Sequence, residues 1–156
     1  MSKSLKRVRA ALETAGLDPT TIIDTPDTHT AQQAADVAGC HVDQIAKSII
    51  FRGEASGNAI LFLTAGGHRV DAEKASAIAG ETLGKADAAL IRAQTGFAIG
   101  GVSPIGHLNP IRAYLDPRLS EFDTIWAAAG TPHHIFPLTY AQLRDMTDGT
   151  EAAFTQ

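Results

Sequence analysis

Residues 46–65, AKSIIFRGEASGNAILFLTA, place two apolar runs on either side of a polar turn. The first run, Ala46 to Arg52, is rich in β-branched and aromatic residues, which is typical of a strand. The second run, AILFLTA at 59–65, is apolar on both faces, which predicts a strand in the centre of a sheet. Because only GEASGN separates the runs, they are predicted to pair as a hairpin.

The rest of the chain predicts helices around this hairpin and a few more strands. Helices are expected at 3–16, from a capping threonine to Gly39, from an Asp71 cap to Gly80, in ADAALIRAQTG (86–96), and after a Thr139 cap. Strands are expected near 22–23 and in IRAYLDPRL (111–119), FDTIWAAAG (122–130) and IFPL (135–138). Strict βαβ alternation is absent, so the predicted class is α/β (α+β), a mixed sheet flanked by helices.

No repeat, low-complexity tract or linker interrupts the pattern, so residues 1–156 are predicted to form a single domain. The composition, 44% apolar and 19% charged, is that of an ordinary globular protein. No window approaches eighteen consecutive apolar residues, and the basic start lacks the apolar core of a secretory signal. A membrane is therefore not an expected partner.

A single cysteine, Cys40, cannot form an internal disulfide, which favours a reducing, cytoplasmic location. The net charge of -4 is not that of a protein that coats nucleic acid. DNA is therefore not an expected partner, and an RNA would have to be held by a local patch of the surface.

The stretch GFAIGGVSPIGH, residues 96–107, holds four glycines around Ser103. It is not a serine-nucleophile elbow, because G-x-S-x-G needs a glycine where Ile105 stands. A phosphate loop is also excluded, since GETLGKA at 80–86 is one spacer short and Ala86 replaces the magnesium-binding hydroxyl. What remains is backbone chemistry: consecutive glycines let N–H groups approach a ligand and stabilise an oxyanion. The alternative is a plain glycine-rich bulge between strands.

Six histidines are the other candidates for chemistry: His29, His41, His68, His107, His133 and His134. None forms the i, i+4 pair of a zinc hydrolase, and two neighbouring histidines in an extended segment point to opposite sides. With one cysteine besides, neither a metal site nor a cofactor is predicted.

Three stretches in this order resemble the YbaK/prolyl-tRNA-synthetase-associated family: THTAQQAADVAG, IAKSIIF and GFAIGGVSPIGH. This family comprises the editing domain of bacterial prolyl-tRNA synthetases and its free-standing relatives. The resemblance extends from about Thr28 to the C-terminal helix. It implies a mixed, partly barrel-like sheet ringed by helices. It also implies an aminoacyl-tRNA deacylase that acts in trans on wrongly charged tRNA, often tRNA-Pro.

The resemblance further implies where the site lies. The family's strand lysine falls on Lys47, and Thr30 with Ala31 matches the pocket edge. Gly130 matches a glycine near the site, and His134 lies in a turn, TPHH, that is basic and glycine-rich in many relatives. The family's G-x-x-x-P loop falls on Gly100, Gly101, Val102, Ser103 and Pro104.

The implied chemistry suits these residue types. An aminoacyl ester is already activated, so its hydrolysis needs an aligned water and oxyanion stabilisation more than a strong nucleophile. Family members are thought to let the terminal ribose hydroxyl of the tRNA assist that water. Lys47 would anchor the terminal phosphate or ribose as a point charge, the alternative being an ordinary solvent-facing lysine.

The predicted partners are the acceptor end of an aminoacyl-tRNA and a prolyl-tRNA synthetase. The alternative function is a catalytically silent module that binds tRNA ends or nucleotides, or docks on a synthetase. A serine or metal hydrolase of small esters is disfavoured by the failed motifs. Tyr114 and Trp126 are predicted in the core rather than as base-stacking platforms. Seven cations could form an RNA path, although a solvated helix face explains the first four more simply: Lys3, Lys6, Arg7, Arg9, Arg69, Lys74 and Arg112.

Overall fold

The computed structural model describes residues 2–156, which form five α-helices and eight strands. Three short 3₁₀ turns, at Pro19–Thr21, Val42–Gln44 and Pro117–Glu121, lie between them. In chain order the helices and strands are α1 (Lys3–Thr14), β1 (Ile23–Asp24), α2 (Ala31–Ala38), β2 (Ala46–Gly53), β3 (Ala59–Ala65), α3 (Ala72–Ala79), β4 (Leu83–Lys85), α4 (Ala88–Thr95), β5 (Arg112–Leu115), β6 (Ile125–Ala128), β7 (His134–Leu138), α5 (Tyr140–Thr147) and β8 (Thr150–Glu151).

The predicted hairpin is the centre of a five-stranded sheet with the order β4-β2-β3-β5-β8. Strands β2 and β3 pair antiparallel, from Ala46 opposite Ala65 to Arg52 opposite Ala59. Strand β3 is buried at every position, as its apolar sequence predicts. Since β3 pairs parallel with β5, and β5 parallel with β8, the predicted mixed sheet is confirmed.

A second sheet of three antiparallel strands, in the order β1-β7-β6, adjoins the first. One isolated bridge, Ile45 to Trp126, connects the two sheets at the start of β2. At its far end β2 pairs with β4 over residues 51–53. Between these two attachments, residues 47–50 of β2 have a strand partner on the β3 side alone, and a cleft opens on the other side.

Helix caps follow the predicted signals. Thr30 forms a capping box with Gln33 at the start of α2, and Gly39 ends that helix with a φ of 69°. Thr139 forms a capping box with Gln142 at the start of α5, and the Asp71 side chain caps α3 by accepting from the N–H groups of Glu73 and Lys74. The capping box of Thr30 and Gln33 fixes the first turn of α2, which borders the cleft.

Three predictions need correction. The strand predicted over 111–119 ends at Leu115, because the Asp116 side chain accepts a hydrogen bond from the Arg118 N–H and starts a 3₁₀ turn at Pro117. The first helix ends at Thr14 rather than at residue 16. Strands β4 and β8 are absent from the sequence prediction because, at three and two residues, they are too short to show a pattern.

Two layers of apolar side chains cover the larger sheet. One cluster packs Leu5, Val8 and Leu12 of α1 with Phe97 and Phe136. The other surrounds Phe62, whose ring stacks on Tyr114 at 5.3 Å and meets Phe154 edge-on at 5.0 Å. Tyr114 is thus a core residue, as predicted. None of the helices in residues 2–156 combines the length and the apolar character needed to cross a bilayer.

Candidate active site

A cleft of about 700 Å³ lies where the two sheets part. One wall is the start of α2 and the loop before it, residues 28–34, and another is the 66–69 turn after β3. The 45–49 edge of β2, Gly100 with Val102, and residues 126–128 of β6 complete the lining. Its volume lies within the range of small-molecule sites.

Lys47 is half-buried in this cleft. Its Nζ donates to the carbonyl oxygen of His68 at 2.8 Å and to that of Gly66 at 3.3 Å. An ammonium has three N–H groups, so one remains for a ligand. Desolvation and the nearby positive charge of Arg69 lower the pKa of Lys47, while Asp43 and Asp116 act in the opposite direction. Lys47 is therefore a held, partly desolvated cation rather than a solvent-facing one.

The glycine-rich stretch reaches the cleft through two residues, Gly100 and Val102. Gly100 is exposed with a φ of 94°, and Val102 is buried. The N–H of Gly101 donates to the carbonyl of Ala98 at 3.2 Å, whereas those of Gly100 and Val102 make no hydrogen bond within residues 2–156. Both residues line the cleft, so the loop offers two backbone N–H groups without an internal partner beside it, the kind of donor that stabilises an oxyanion.

The amino terminus of α2 forms the apolar side of the cleft. Thr30, whose hydroxyl caps the helix, and Ala31 both line it, together with Ala34 and Ile45. Trp126 lines it as well and is only partly buried, so its predicted core position is wrong in part. These small and flat side chains leave room for a small group.

The charges around the cleft are of one sign. Lys47 and Arg69 line it, as do the imidazoles of His29 and His68, while no Asp or Glu of residues 2–156 does so. A cleft with cationic walls attracts an anionic ligand and raises its local concentration. Phosphate groups meet this description.

Five of the ten predicted site residues therefore meet at the cleft: Lys47, Gly100, Val102, Thr30 and Ala31. Ser103 lies outside it and is fully buried; its Oγ accepts from the Ile105 N–H, and its carbonyl accepts from His107 Nε2. Pro104 lines a separate depression near His107 and Arg112.

Gly101, Gly130 and His134 also lie outside the lining. A Cβ on Gly101 would stand 2.7 Å from the Cα of Thr131, so this glycine lets the loop approach the β6–β7 turn. A Cβ on Gly130 would stand 2.9 Å from the Ser4 carbonyl oxygen of α1. His134 pairs with Asp24 at 3.0 Å and shares a hydrogen bond with Thr131. All three stabilise the segments packed around the glycine loop: the β6–β7 turn, α1 and β1.

The structure adds residues that the sequence analysis did not place at the site, although it named His68 among the candidate histidines and Arg69 among the possible RNA-path cations. His68 and Arg69 lie in the cleft, and Asp43, Asp116 and Arg118 lie behind them. Two signals were available: the Gly66-Gly67 pair directly after a buried strand indicates a tight turn, and Asp116 follows the strand beside it. Nothing in the sequence shows that the two segments meet.

Metal ligands do not converge within the described part of the chain: residues 2–156 contain no group of three His, Cys, Asp or Glu side chains arranged to hold an ion. Cys40 is partly buried beside α2, and burial raises the pKa of its thiol. A thiol with a raised pKa is a poor nucleophile at neutral pH.

Comparison with known proteins identifies the family and the fold. Residues 25–146 match the aminoacyl-tRNA editing domain family, and the chain belongs to this family. The match includes every residue that lines the cleft and all strands except the short terminal ones, β1 and β8. The family resemblance that the sequence predicted is confirmed.

Individual relatives agree with this assignment. The protein YwhH of Bacillus subtilis (strain 168), itself uncharacterized, is 34% identical over 118 residues, which cover 76% of this chain and 74% of that one. A solved structure of a proposed trans-editing enzyme for prolyl tRNA synthetase is 42% identical, with a TM-score of 0.91 over 100% of this chain and 99% of the other. The hypothetical protein APE2540 shares the fold at 21% identity, with a TM-score of 0.85 over 96% of this chain and 99% of that one.

Proposed function

We propose that this protein is a trans-editing hydrolase that removes a small wrong amino acid from tRNA-Pro in the cytoplasm. The observation that carries the proposal is the meeting of a held cation, Lys47, with the free amides of Gly100 and Val102 in one cleft. The tRNA end supplies negative phosphates for Lys47 and an ester carbonyl for the amides of Gly100 and Val102. Membership of the editing domain family supports the same class of substrate.

The reaction divides between substrate and protein. A water oxygen bonds to the ester carbonyl carbon, and the amides of Gly100 and Val102 donate to the oxygen on which negative charge develops. The bond between that carbon and the ribose oxygen then breaks, and the ribose oxygen takes up the proton that the water gives away. The neighbouring ribose hydroxyl passes this proton, since Ser48, a serine of the lining, has no hydrogen-bond partner within residues 2–156 and so is not activated by the His68–Asp116 pair. No metal or cofactor is needed for these steps.

Lys47 has an electrostatic role in this scheme. Its one uncommitted N–H and its charge hold the terminal phosphate or ribose, so the ester is aligned with the loop amides. Arg69, exposed at the same rim, extends the positive surface toward the next phosphate. The overall charge of -4 means that the rest of the surface does not attract RNA, which supports delivery of the tRNA by a prolyl-tRNA synthetase.

The apolar walls favour a small amino acid with an unbranched, apolar side chain. Ala31, Ala34 and Ile45 offer no hydrogen bond to a side-chain hydroxyl. A methylene group in such a pocket changes binding by about 1–3 kcal/mol, so alanine and 2-aminobutyrate are expected to be separated only modestly. Serine and threonine are expected to be released more slowly, because a hydroxyl against these three side chains would lose water without gaining a partner. Ser48 also lines the cleft, and its Oγ, which has no hydrogen-bond partner within residues 2–156, is the group that would instead favour a hydroxyl.

The test is deacylation by the purified protein of tRNA-Pro charged separately with alanine, serine, threonine, cysteine and proline. Release of alanine well ahead of the others, absent from a Lys47→Ala variant, is the expected result. If no amino acid is released while tRNA still binds, the protein is instead a silent tRNA-binding module. Release of serine faster than alanine would contradict the apolar pocket while leaving the editing function in place.

A further inference from the structure

The turn that holds the Lys47 ammonium is itself fixed by side chains behind the cleft. At the end of β3 the chain reverses direction over residues 65–68, and the His68 N–H donates to the Ala65 carbonyl at 2.8 Å. The two carbonyl oxygens that accept from Lys47, those of Gly66 and His68, belong to this turn. The position of the ammonium therefore depends on the position of the turn.

Two carboxylates hold the turn at three points. Asp116, 1% exposed, accepts through Oδ2 from the Ala65 N–H at 3.0 Å and from His68 Nδ1 at 2.8 Å. Asp43 accepts through Oδ1 from the Gly67 N–H at 2.8 Å. Hydrogen bonds to carboxylates are stronger than neutral ones, so these contacts restrict the turn closely.

Arg118 joins the two carboxylates into one unit. Its Nε donates to Asp43 Oδ2 at 3.0 Å, and its backbone N–H donates to Asp116 Oδ1 at 3.0 Å. All four carboxylate oxygens are therefore occupied. Burial by itself raises the pKa of Asp43, but hydrogen bonds from Arg118 and Gly67 outweigh it and hold that pKa below the ordinary value.

The glycines of the turn fit this arrangement, and a Cβ at either position would force a neighbouring atom to move. A Cβ on Gly66 would collide with the Val42 carbonyl oxygen, and a Cβ on Gly67 would collide with Asp43 Oδ1. Neither glycine has a positive φ, so close approach rather than backbone conformation requires them. The turn has thus been shaped to lie against the 42–43 segment.

We propose that His68 and Asp43 are positioning residues for Lys47: together with Asp116 and Arg118 they hold the 65–68 turn, and the turn holds the ammonium. The inference rests on the proposed function only for the role of Lys47 in deacylation. The charged groups that face Lys47 are Arg69 on its rim and Asp43 and Asp116 behind the turn, with the titratable His68 between them. The carboxylates keep the ammonium charged, and the histidine keeps it in place.

The test compares His68→Ala with His68→Asn. The asparagine amide can donate to Asp116 much as Nδ1 does, whereas alanine cannot. We expect His68→Ala to lower kcat for deacylation by roughly tenfold to a hundredfold through misalignment, and His68→Asn to stay within a few-fold of the parent. Equal losses in the two variants would overturn the proposal, because the imidazole would then act otherwise than by holding the turn.

A second measurement needs no activity. Acetylation of Lys47 by acetic anhydride across a pH series, quantified by mass spectrometry against the exposed Lys85, gives the Lys47 pKa in the protein alone. His68→Ala should raise this pKa, since the freed ammonium regains water. Asp43→Asn, which can still accept from Gly67, should lower it by removing a negative charge.

These outcomes separate the inference from the proposed function. If the parent protein releases no amino acid but the two pKa changes occur with opposite signs, the positioning of Lys47 stands and the deacylase proposal fails. If deacylation is observed but the Lys47 pKa is the same in the parent protein, His68→Ala and Asp43→Asn, the positioning proposal fails alone. Should His68→Ala not fold, Asp43→Ala is compared with Asp43→Asn by the same readout: both remove the charge, but only alanine also frees the Gly67 N–H, so a higher Lys47 pKa in Asp43→Ala supports the positioning role and equal values overturn it.

Discussion

Arg7 of helix α1 donates through Nη2 to the carbonyl oxygen of Gly96 at 2.7 Å. Its Nε donates to the carbonyl of Gly106 at 3.2 Å, and the guanidinium lies 4.8 Å from the centre of the Phe97 ring. One side chain thus ties both ends of the glycine-rich stretch to the first helix. In the sequence it stands among cations that could meet RNA, but two of its donors are engaged inside the fold.

Removal of this tie should destabilise the protein. We expect Arg7→Ala to lower the free energy of unfolding by about 2 kcal/mol, from lost charged hydrogen bonds and the lost cation–π contact. Urea unfolding measures the change, with Lys6→Ala on the exposed side of the same helix as the control. Equal midpoints for the two variants would mean that the contacts of Arg7 add nothing.

Lys47 should not be replaceable by arginine. A guanidinium is planar and wider than an ammonium, so it cannot sit between the carbonyl oxygens of Gly66 and His68 as Nζ does. Lys47→Arg is expected to lower kcat/KM for deacylation by roughly a hundredfold, as a displacement near 1 Å can do. Arg52→Lys, at an exposed position of the same strand, should leave kcat/KM unchanged. An active Lys47→Arg enzyme would show that charge alone is sufficient.

Gly100 and Gly16 form a matched pair for testing the loop. Both have positive φ, 94° and 79°, and both have open space where a Cβ would stand. Alanine should therefore cost each roughly 1–2 kcal/mol in backbone strain. Only Gly100 lines the cleft, so only Gly100→Ala should also lower kcat, as single-turnover deacylation would measure. If Gly16→Ala and Gly100→Ala lose activity to the same extent, the loss comes from lower stability and not from the cleft.

His107 should make the stability of the protein depend on pH. Burial lowers its pKa below the ordinary value, against a smaller opposite effect of the hydrogen bond to the Ser103 carbonyl, and Arg7 lowers it further. A folded pKa below the unfolded one, about 6.5, gives stability that is present above that value and is lost as the pH falls toward the folded pKa. Urea unfolding at pH 7.5, 6.5 and 5.5 should therefore show a steeper decline for the parent protein than for His107→Gln. Identical slopes would mean that His107 keeps its ordinary titration in the fold.

Deacylation should be insensitive to chelators. The proposed steps use backbone amides, one ammonium and the ribose hydroxyl, so EDTA is expected to leave kcat/KM unchanged. The assay must use tRNA refolded beforehand, because tRNA itself binds Mg²⁺. Inhibition that added zinc reverses would contradict the metal-free mechanism.

Much of the fold could be predicted because its signals are local. The apolar run at 59–65 could only be a buried strand, and Thr30, Asp71 and Thr139 are capping residues followed by helical sequence. Strand β5 was predicted too long because Pro117 and Arg118 are compatible with a strand until Asp116 bonds to its own following backbone. A side chain that bonds to its own backbone competes with the hydrogen bonds between strands, and the neighbouring strands decide which of the two forms.

The site was predictable in part. Lys47, Thr30 and the glycine loop follow from the family resemblance, and the structure brings them to one cleft. The support around Lys47 was not predictable, because Asp43, His68 and Asp116 are separated by 24 residues or more of sequence and meet only in the folded chain. Ser103 shows the opposite case, a polar residue at the centre of a motif whose hydroxyl is used entirely inside the loop.

The single bridge between Ile45 and Trp126 has a mechanical consequence. The cleft is bounded by two sheets that share one backbone pairing rather than a continuous ladder, so its width is set by the angle at that joint. Turning one sheet away from the other would break that pairing and would also expose the buried cluster that Leu61 and Leu63 of the larger sheet share with Ala127 and Phe136 of the smaller one. The shared core makes the joint stiff, so the cleft is formed before any ligand enters it.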